Sequence, residues 1–199
     1  MAIPSVPHAT YDQFRNAVNG RAFDLDGWYG AQCWDGVDLL YQQSDVGQYL
    51  YTQHYFNTNL AGTAKSCWQY NAARQKNGSG HFRAVSGVTN IKRGDIIVFN
   101  TYSGWYGSTG HIGFADENYK GTSYIKLLSQ NFGAGSNPRT GKAFNIQNAY
   151  LGTAFLGIFR YKPWESTPPT PTPTPSKTTY KRTKFPWPIA WENWPYFKQ

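Results

Sequence analysis

The middle of the chain carries three short apolar runs separated by turns, and they predict an antiparallel meander. The runs are Ile96–Phe99, the segment that begins at His111, and Tyr124–Leu128. An Arg-Gly-Asp turn precedes the first run, and a glycine-rich loop with the sequence SGWYGSTG precedes the second. Apolar and β-branched runs of this length, bounded by glycine and polar turn residues, are typical of strands joined by short connections.

Helical spacing dominates the part of the chain before these runs. The segments from Tyr11 to Val18, Cys33 to Gln43 and Thr63 to Ala73 are the helix candidates. In the second of them, apolar residues recur at three- and four-residue steps, as in an amphipathic helix (Trp34, Val37, Leu40 and Tyr41). We therefore predict an α+β fold in which N-terminal helices pack on a strongly bent antiparallel sheet of about five or six strands.

The composition changes near residue 165, which divides the chain into three parts. Residues 1–165 have the length and apolar content of one domain. Residues 166–176 read STPPTPTPTPS and predict an extended polyproline II linker. Residues 177–199 form a basic tail rich in Trp, Tyr and Phe that is too short to bury a core of its own.

Cys33 lies at the predicted start of a helix, just after Gly27 and Gly30. The helix macrodipole and the unpaired backbone N–H groups at such a position stabilise a thiolate, and the same groups can hold an oxyanion. The alternative is that the cysteine is a small buried hydrophobe. We assign that alternative to Cys67, which lies in the sequence SCWQY.

His111 is the histidine whose surroundings suggest chemistry, because it opens an apolar strand directly after the glycine-rich loop. The next strand ends in Ser129-Gln130-Asn131. By the two-residue period of a strand, Ser129 and Asn131 would face the same side, so either could hydrogen-bond a histidine on the neighbouring strand. A cysteine with a distant histidine and asparagine is typical of a thiol hydrolase.

Three carboxylates, Asp24, Asp26 and Asp35, surround the cysteine at positions one, three and twelve of a loop. Side chains at these positions bind Ca²⁺ in twelve-residue calcium loops. In that numbering Trp28 and Gly30 fall at positions five and seven, where a backbone carbonyl would be the ligand. The alternative is that the aspartates cap a helix and line a polar turn. The spacing alone does not choose between the two.

Four blocks together resemble the CHAP family of cysteine- and histidine-dependent amidohydrolases and peptidases, of the papain-like, NlpC/P60-like superfamily. They are Gly-Ala-Gln-Cys-Trp-Asp, Arg-Gly-Asp-Ile-Ile-Val-Phe, Gly-His-Ile-Gly and Ser-Gln-Asn-Phe-Gly, within residues 10–162. The resemblance implies Cys33 as nucleophile, His111 as general base and Asn131 as the residue that orients the imidazole. It also implies a calcium loop with Asp24, Asp26, the Trp28 carbonyl and Asp35 as ligands.

The sequence departs from the family pattern at two positions. Many relatives have an acidic residue two places before the asparagine, where this chain has Ser129. Either Asn131 suffices alone, or another carboxylate such as Asp116 or Glu117 substitutes. Some calcium-binding relatives have a ligand side chain at the position of Gly30, where only the backbone or a water can contribute here.

The resemblance implies a phage lysin that hydrolyses amide bonds in bacterial peptidoglycan, either as an N-acetylmuramoyl-L-alanine amidase or as an endopeptidase. Helix-start N–H groups and the Gln32 side chain would hold the oxyanion, and Trp34 would contact substrate. Aromatic residues would wall the groove between cysteine and histidine (Trp28, Trp34, Trp105, Tyr106 and Phe132). The alternative is an inactive CHAP-like protein that binds walls or builds a phage tail.

Charge and targeting signals bear on partners and location. The net charge is +8, and both the predicted domain and the tail are basic. We expect an anionic partner such as the polymers of a Gram-positive wall, and no nucleic acid, because no nucleic-acid motif occurs. No secretory signal or membrane span is expected, which favours a phage-encoded protein. It would stay in the host cytoplasm until released to the wall, or travel in the virion tail. The tail 177–199 could bind the wall, dock on the domain or a partner subunit, or be a remnant.

Overall fold

The computed structural model describes residues 4–25, 27, 30–44, 63–68, 81–137 and 139–165. The helices are α1 (Tyr11–Val18), α2 (Cys33–Ser44), α3, of which residues 64–68 are described, and the single turn α4 (Lys162–Glu165). The strands are β1 (Phe82–Val85), β2 (Ile96–Phe99), β3 (His111–Ala115), β4 (Tyr124–Ser129), β5 (Asn145–Tyr150) and β6 (Phe155–Tyr161).

The six strands form one antiparallel sheet in the order β1-β6-β2-β3-β4-β5. This confirms the predicted α+β class and the predicted meander, which is β2-β3-β4. Helix α1 has the predicted bounds, and α2 ends one residue later than predicted. The predicted linker 166–176, the tail 177–199 and the end of the third helix lie outside the described residues. Within the described part, no helix is long and apolar enough to cross a membrane.

Two apolar cores lie on the two faces of the sheet. Ile96 and Val98 of β2 belong to the core that contains residues of α1 and α2, while Ile97 and Phe99 belong to the core on the opposite face. Burial on both faces explains why β2 reads as a continuous apolar run rather than an alternating one. The alternation also decides which side chains of each strand face the helices.

Helix α1 is fixed to the sheet by its ends and by one face. Thr10 caps it by accepting the backbone N–H of Gln13 (3.2 Å). Phe14, on its buried face, packs against Phe114 of β3 with ring centroids 4.9 Å apart. Arg15 forms an ion pair of 2.7 Å with Asp116, which follows β3. The helix therefore braces the strand that begins at His111.

Candidate active site

Cys33 is the first residue of α2, and the start of that helix is fixed by Asp35. The Asp35 carboxylate accepts the backbone N–H of Gln32 (2.9 Å) and that of Leu25 (3.1 Å). Reaching back to the residue before the helix is the acidic half of a capping box. Since Asp35 is almost fully buried, it ties both the entry loop and the helix start to one rigid point beside the thiol.

The thiol of Cys33 rests protonated. Burial is the largest influence and raises its pKa to about 11, although the residue keeps partial exposure. Backbone N–H groups of Ile112, Trp34 and Cys33 itself lower the pKa, and the charge of Asp35 raises it. The helix-start N–H groups thus act in the direction expected from the sequence, but desolvation outweighs them.

His111 opens β3 and lies in an aromatic enclosure. Its ring stacks on Phe132 with centroids 4.6 Å apart and lies 5.9 Å from the ring of Tyr106. The residue is almost fully buried, and this burial lowers its pKa to about 3. The imidazole is therefore neutral, as a general base must be before it takes a proton.

Ser129 at the end of β4 is the hydrogen-bond partner of His111, with Oγ 2.9 Å from Nε2. The same hydroxyl also lies 2.8 Å from the carbonyl oxygen of Ile112, which can only accept. A serine hydroxyl has one proton, so donation to Ile112 leaves it to accept from Nε2–H. This arrangement selects the tautomer whose Nδ1 carries a lone pair, which is the form that can accept a proton from a thiol.

Asn131 does not form the expected hydrogen bond with His111. Its amide donates to Oε1 of Gln32 (2.6 Å), and its Oδ1 accepts the backbone N–H of Asn137 (2.7 Å). Strand β4 has ended at Ser129, and Asn131 adopts a left-handed backbone with φ of 49°. The two-residue period therefore stops before Asn131, and the expectation that it shares a face with Ser129 is wrong.

Gln130 is a site-building residue that the sequence analysis missed. It is fully buried, and its amide accepts the backbone N–H of Phe23 (2.7 Å) while donating to the carbonyls of Phe23 (3.0 Å) and Gln32 (2.8 Å). These bonds hold both ends of the loop that leads into Cys33. The sequence offered one signal, which was an amide side chain directly after an apolar strand. Such a side chain is often buried, and a buried polar group needs hydrogen-bond partners.

The loop before Cys33 is also held by the backbone of residues 140–142, which approaches it closely. Ala31 and Gly141 form a parallel β-bridge, and Lys142 donates its N–H to the Ala31 carbonyl (3.1 Å). A Cβ built at Gly30 would collide with the backbone carbonyl of Thr140, and Gly30 has φ of 66°. This explains why no side chain can extend from Gly30 to serve as a ligand.

A groove of about 800 Å³ passes over these residues. It is lined by Gln32, Cys33 and Trp34 together with His111, Asn131 and Phe132. Trp105 and Tyr106 also line it, so four of the five predicted aromatic walls lie where expected. Trp28 is outside the described residues. The structure thus places the predicted nucleophile and base along one groove.

The carboxylates nearest to His111 in sequence are engaged elsewhere. Asp116 is bound by Arg15, and Glu117 forms an ion pair with Lys120 and accepts the backbone N–H of Lys126 (2.9 Å). The side chain that hydrogen-bonds His111 is therefore the uncharged Ser129, and neither Asp116 nor Glu117 takes this place.

The acidic loop is described only in part, because Asp26 and Trp28 lie outside the described residues. Asp24 accepts the backbone N–H of Gly27 (2.9 Å) through Oδ1, and Gly27 has φ of 76°. With Asp35 at the helix start, these contacts match the turn-and-cap interpretation. Among the described residues, no cluster of three or more His, Cys, Asp or Glu side chains is placed to hold a metal.

Comparison with known proteins supports the fold and the resemblance. No family model matches the chain. The chain is 28% identical over 158 residues to a D-alanyl-L-alanine endopeptidase of Streptococcus phage B30, an alignment covering 79% of this chain and 31% of that protein. The structure of the endolysin LysIME-EF1 superposes with a TM-score of 0.58 at 22% identity, covering 79% of this chain and 66% of the endolysin. The chain shares its fold with an endolysin.

A second solved structure, Ly7917, superposes with a TM-score of 0.50 at 16% identity and covers 80% of this chain and 63% of that one. The chain spans about a third of the phage B30 protein and just under two thirds of the two structures. The resemblance to phage cell-wall enzymes expected from the four blocks is confirmed as a similarity, and the α+β fold is confirmed.

Proposed function

We propose that this chain is a phage lysin that hydrolyses amide bonds in bacterial peptidoglycan, with Cys33 as the nucleophile. The observation that carries the proposal is the convergence of a helix-start cysteine and a neutral, hydrogen-bonded histidine on one groove. The similarity to a phage endopeptidase and to an endolysin supports the substrate class. The net charge of +8 suits an anionic cell wall, for which the Gram-positive wall is the proposed partner.

The resting proton positions define the first chemical step. Because the thiol of Cys33 has a raised pKa and His111 a lowered one, an ion pair is not stable before substrate binds. Nδ1 of His111 therefore takes the thiol proton as the sulfur attacks the scissile carbonyl. Ser129 accepts from Nε2–H throughout and so keeps the imidazole in place.

The oxyanion that forms has donors at the start of α2. The backbone N–H groups of Cys33 and Trp34 lower the pKa of the thiol, so they favour negative charge at this position. The Gln32 amide accepts from Asn131 through Oε1, so its Nε2 is the end that donates. Collapse of the intermediate breaks the C–N bond, and His111 returns its proton to the leaving amine. Water, deprotonated by His111, then hydrolyses the thioester and restores the thiol.

The decisive experiment compares wild type with Cys33→Ala in a turbidity assay on purified cell walls, with Cys67→Ala as the matched control at the buried cysteine. We expect clearing to be lost in Cys33→Ala and kept in Cys67→Ala. Equal clearing by Cys33→Ala would end the cysteine mechanism. Inactivity of all three on walls from several Gram-positive hosts would favour the inactive wall-binding or tail protein.

The scissile bond is proposed to be a peptide bond, by similarity to the phage B30 endopeptidase. Mass spectrometry of the released fragments distinguishes the alternatives. New amino termini on cross-linking residues, or a new C-terminal D-alanine, would indicate an endopeptidase. Stem peptides released with N-terminal L-alanine would indicate an amidase.

We also propose a structural Ca²⁺ site formed by Asp24, Asp26, Asp35 and the carbonyls of Trp28 and Gly30. The donor set is all oxygen, which suits Ca²⁺ and argues against zinc. Asp35 faces this loop with both carboxylate oxygens, which accept the backbone N–H groups of Leu25 and Gln32. The ion would supply charge neutralisation that fixes the loop before Cys33.

Calorimetry with Ca²⁺ on wild type and Asp24→Ala tests this site. We expect binding heat in wild type alone and a lower melting temperature after chelation, restored by Ca²⁺ better than by Mg²⁺. No binding heat, together with a melting temperature insensitive to chelator, would leave the aspartates as helix and turn caps.

A further inference from the structure

Four aromatic side chains form a continuous surface beside the groove, and the mechanism uses none of them. We call the set Tyr102, Trp105, Tyr124 and Tyr150 the aromatic platform. The Trp105 ring lies 5.7 Å from that of Tyr124 and 6.1 Å from that of Tyr150, which in turn is 4.9 Å from Tyr102 and 5.6 Å from Tyr124. Trp105 is 39% and Tyr124 48% exposed, and they are the exposed large hydrophobic side chains among the described residues.

The platform is held in place by the structure beneath it. Tyr124 and Tyr150 are directly paired across β4 and β5. Trp105 lies in a tight turn closed by the N–H of Tyr106 on the carbonyl of Tyr102 (2.8 Å). The hydroxyl of Tyr106 donates to the Tyr150 carbonyl (2.7 Å), which fastens the turn to β5. A ligand would therefore meet rings that are already arranged, so little ordering opposes binding.

The platform continues into the candidate active site. Trp105 lines the same groove as Cys33 and His111. Tyr106, the neighbour of Trp105 in the turn, packs beside the imidazole with centroids 5.9 Å apart. A ligand lying on the platform would thus extend directly toward the reacting atoms. Exposed aromatic patches of this kind mark ligand grooves and interaction sites.

We propose that the aromatic platform binds the sugar rings of the glycan strand, so that the attached peptide enters the groove at Cys33. This inference rests on the proposed function. A pyranose ring has an apolar C–H face and a hydroxylated rim, which match a flat aromatic ring and polar neighbours. The tyrosine hydroxyls and the exposed Asn148, which lines the groove, supply such neighbours.

Binding of chitohexaose, a soluble oligomer of N-acetylglucosamine without peptide, tests the proposal in the full chain. The measurement is calorimetry or tryptophan fluorescence in a Cys33→Ala background, so that no turnover occurs. We expect the added double change Trp105→Ala, Tyr124→Ala to weaken binding about tenfold or more, since two exposed stacking faces are removed. Tyr124→Phe keeps the ring and should bind within about twofold of the parent.

Lys120→Ala, on an exposed side chain outside the platform, is the matched surface control. Circular dichroism should be unchanged, and all variants should stay folded at the assay temperature, because Trp105 and Tyr124 are partly exposed and Lys120 is exposed. Equal affinity of the parent and the double variant would overturn the proposal, as would a parent that does not bind chitohexaose. Equal weakening by Lys120→Ala would do the same.

Activity on walls gives an independent readout in the active protein. Trp105→Ala should raise KM for cell walls about tenfold while kcat stays within about twofold, because the ring binds remote sugars and not the reacting atoms. A fall in kcat with unchanged KM would contradict a sugar-binding role. Failure of the proposed function is seen separately, as cell-wall clearing by Cys33→Ala, and leaves the chitohexaose result to be judged on its own.

Discussion

Two pairs of buried polar side chains lie in or next to the sheet, and their polar atoms find partners in different ways. Asp95 and Arg160 form a charged pair, with two bonds of 2.7 Å between the guanidinium and the carboxylate. His111 and Ser129 form an uncharged pair joined by one contact of 2.9 Å. All four residues are buried, so the difference does not come from solvent exposure.

The charged pair of Asp95 and Arg160 connects the turn before β2 to strand β6. Asp95 also accepts the backbone N–H of Lys92, and Arg160 also donates to the Asn90 carbonyl, so the turn before β2 is fixed to β6. Burial raises the pKa of Asp95, while the bonds from Arg160 lower it. The uncharged pair instead leaves a neutral imidazole in the groove that Cys33 also lines. Opposite charges that are fully paired hold two segments together. An uncharged imidazole can instead take up a proton and return it, as the proposed mechanism requires.

Removing one partner of the charged pair should have the largest effect on stability. Asp95→Ala leaves the Arg160 guanidinium buried without its carboxylate, which should lower the free energy of unfolding by about 3–5 kcal/mol. Denaturant titration measures it. Arg83→Gln, at the more exposed pair with Glu165, is the control and should change it by about 1 kcal/mol or less. A loss from Asp95→Ala no larger than the control would show that this pair is not an anchor.

Gln130 is uncharged, yet it joins segments of the fold as the charged pair does. It therefore tests whether an anchor needs charge or only several hydrogen bonds. Gln130→Leu leaves the N–H and carbonyl of Phe23 and the Gln32 carbonyl buried without this partner. We expect a loss of about 2–4 kcal/mol in unfolding free energy and a lower kcat, because the loop into Cys33 loosens. Gln13→Leu on the exposed face of α1 is the control. Full activity in folded Gln130→Leu would mean that Asp35 alone positions Cys33.

Ser129→Ala tests the uncharged pair itself. The substitution removes the acceptor of Nε2–H, so the tautomer and orientation of His111 are no longer selected. We expect kcat to fall about 10- to 100-fold, with a small change in melting temperature. Ser66→Ala removes another buried hydroxyl, bonded to the Thr63 carbonyl (2.6 Å), and should leave kcat unchanged. Comparable rates for Ser129→Ala and wild type would transfer the orienting role to another group.

The pH dependence should be the weakest effect. Burial lowers the pKa of His111 to about 3 and raises that of Cys33 to about 11. In the proposed mechanism the reactive state has both groups neutral, so it persists as pH falls until His111 is protonated and as pH rises until Cys33 ionises. We expect kcat/KM on a soluble substrate to change little between about pH 5 and 9. A fall of kcat/KM to half of its plateau value near pH 6.5 would contradict this expectation. It would show that water reaches the His111 ring in the working protein.

The sequence by itself determined the α+β class, helix α1, the start of α2 and the three meander strands, because these follow from local apolar periodicity and turn residues. It also singled out Cys33 and His111, whose surroundings are visible within a few residues. The strands β1, β5 and β6 were counted without being located. Polar positions interrupt β1 and β5, whereas β6 is largely apolar and carried a signal that went unused.

Only the tertiary structure decided which residue contacts His111. Local alternation treated Ser129 and Asn131 alike, but the chain turns into a left-handed conformation at Asn131 and sends its amide to Gln32. It also decided the direction of the pKa shifts, since desolvation depends on everything packed around Cys33 and His111. The roles of Gln130 and the aromatic platform could not be predicted for the same reason. Their partners lie on segments far apart in sequence, and local sequence patterns do not show which distant segments meet.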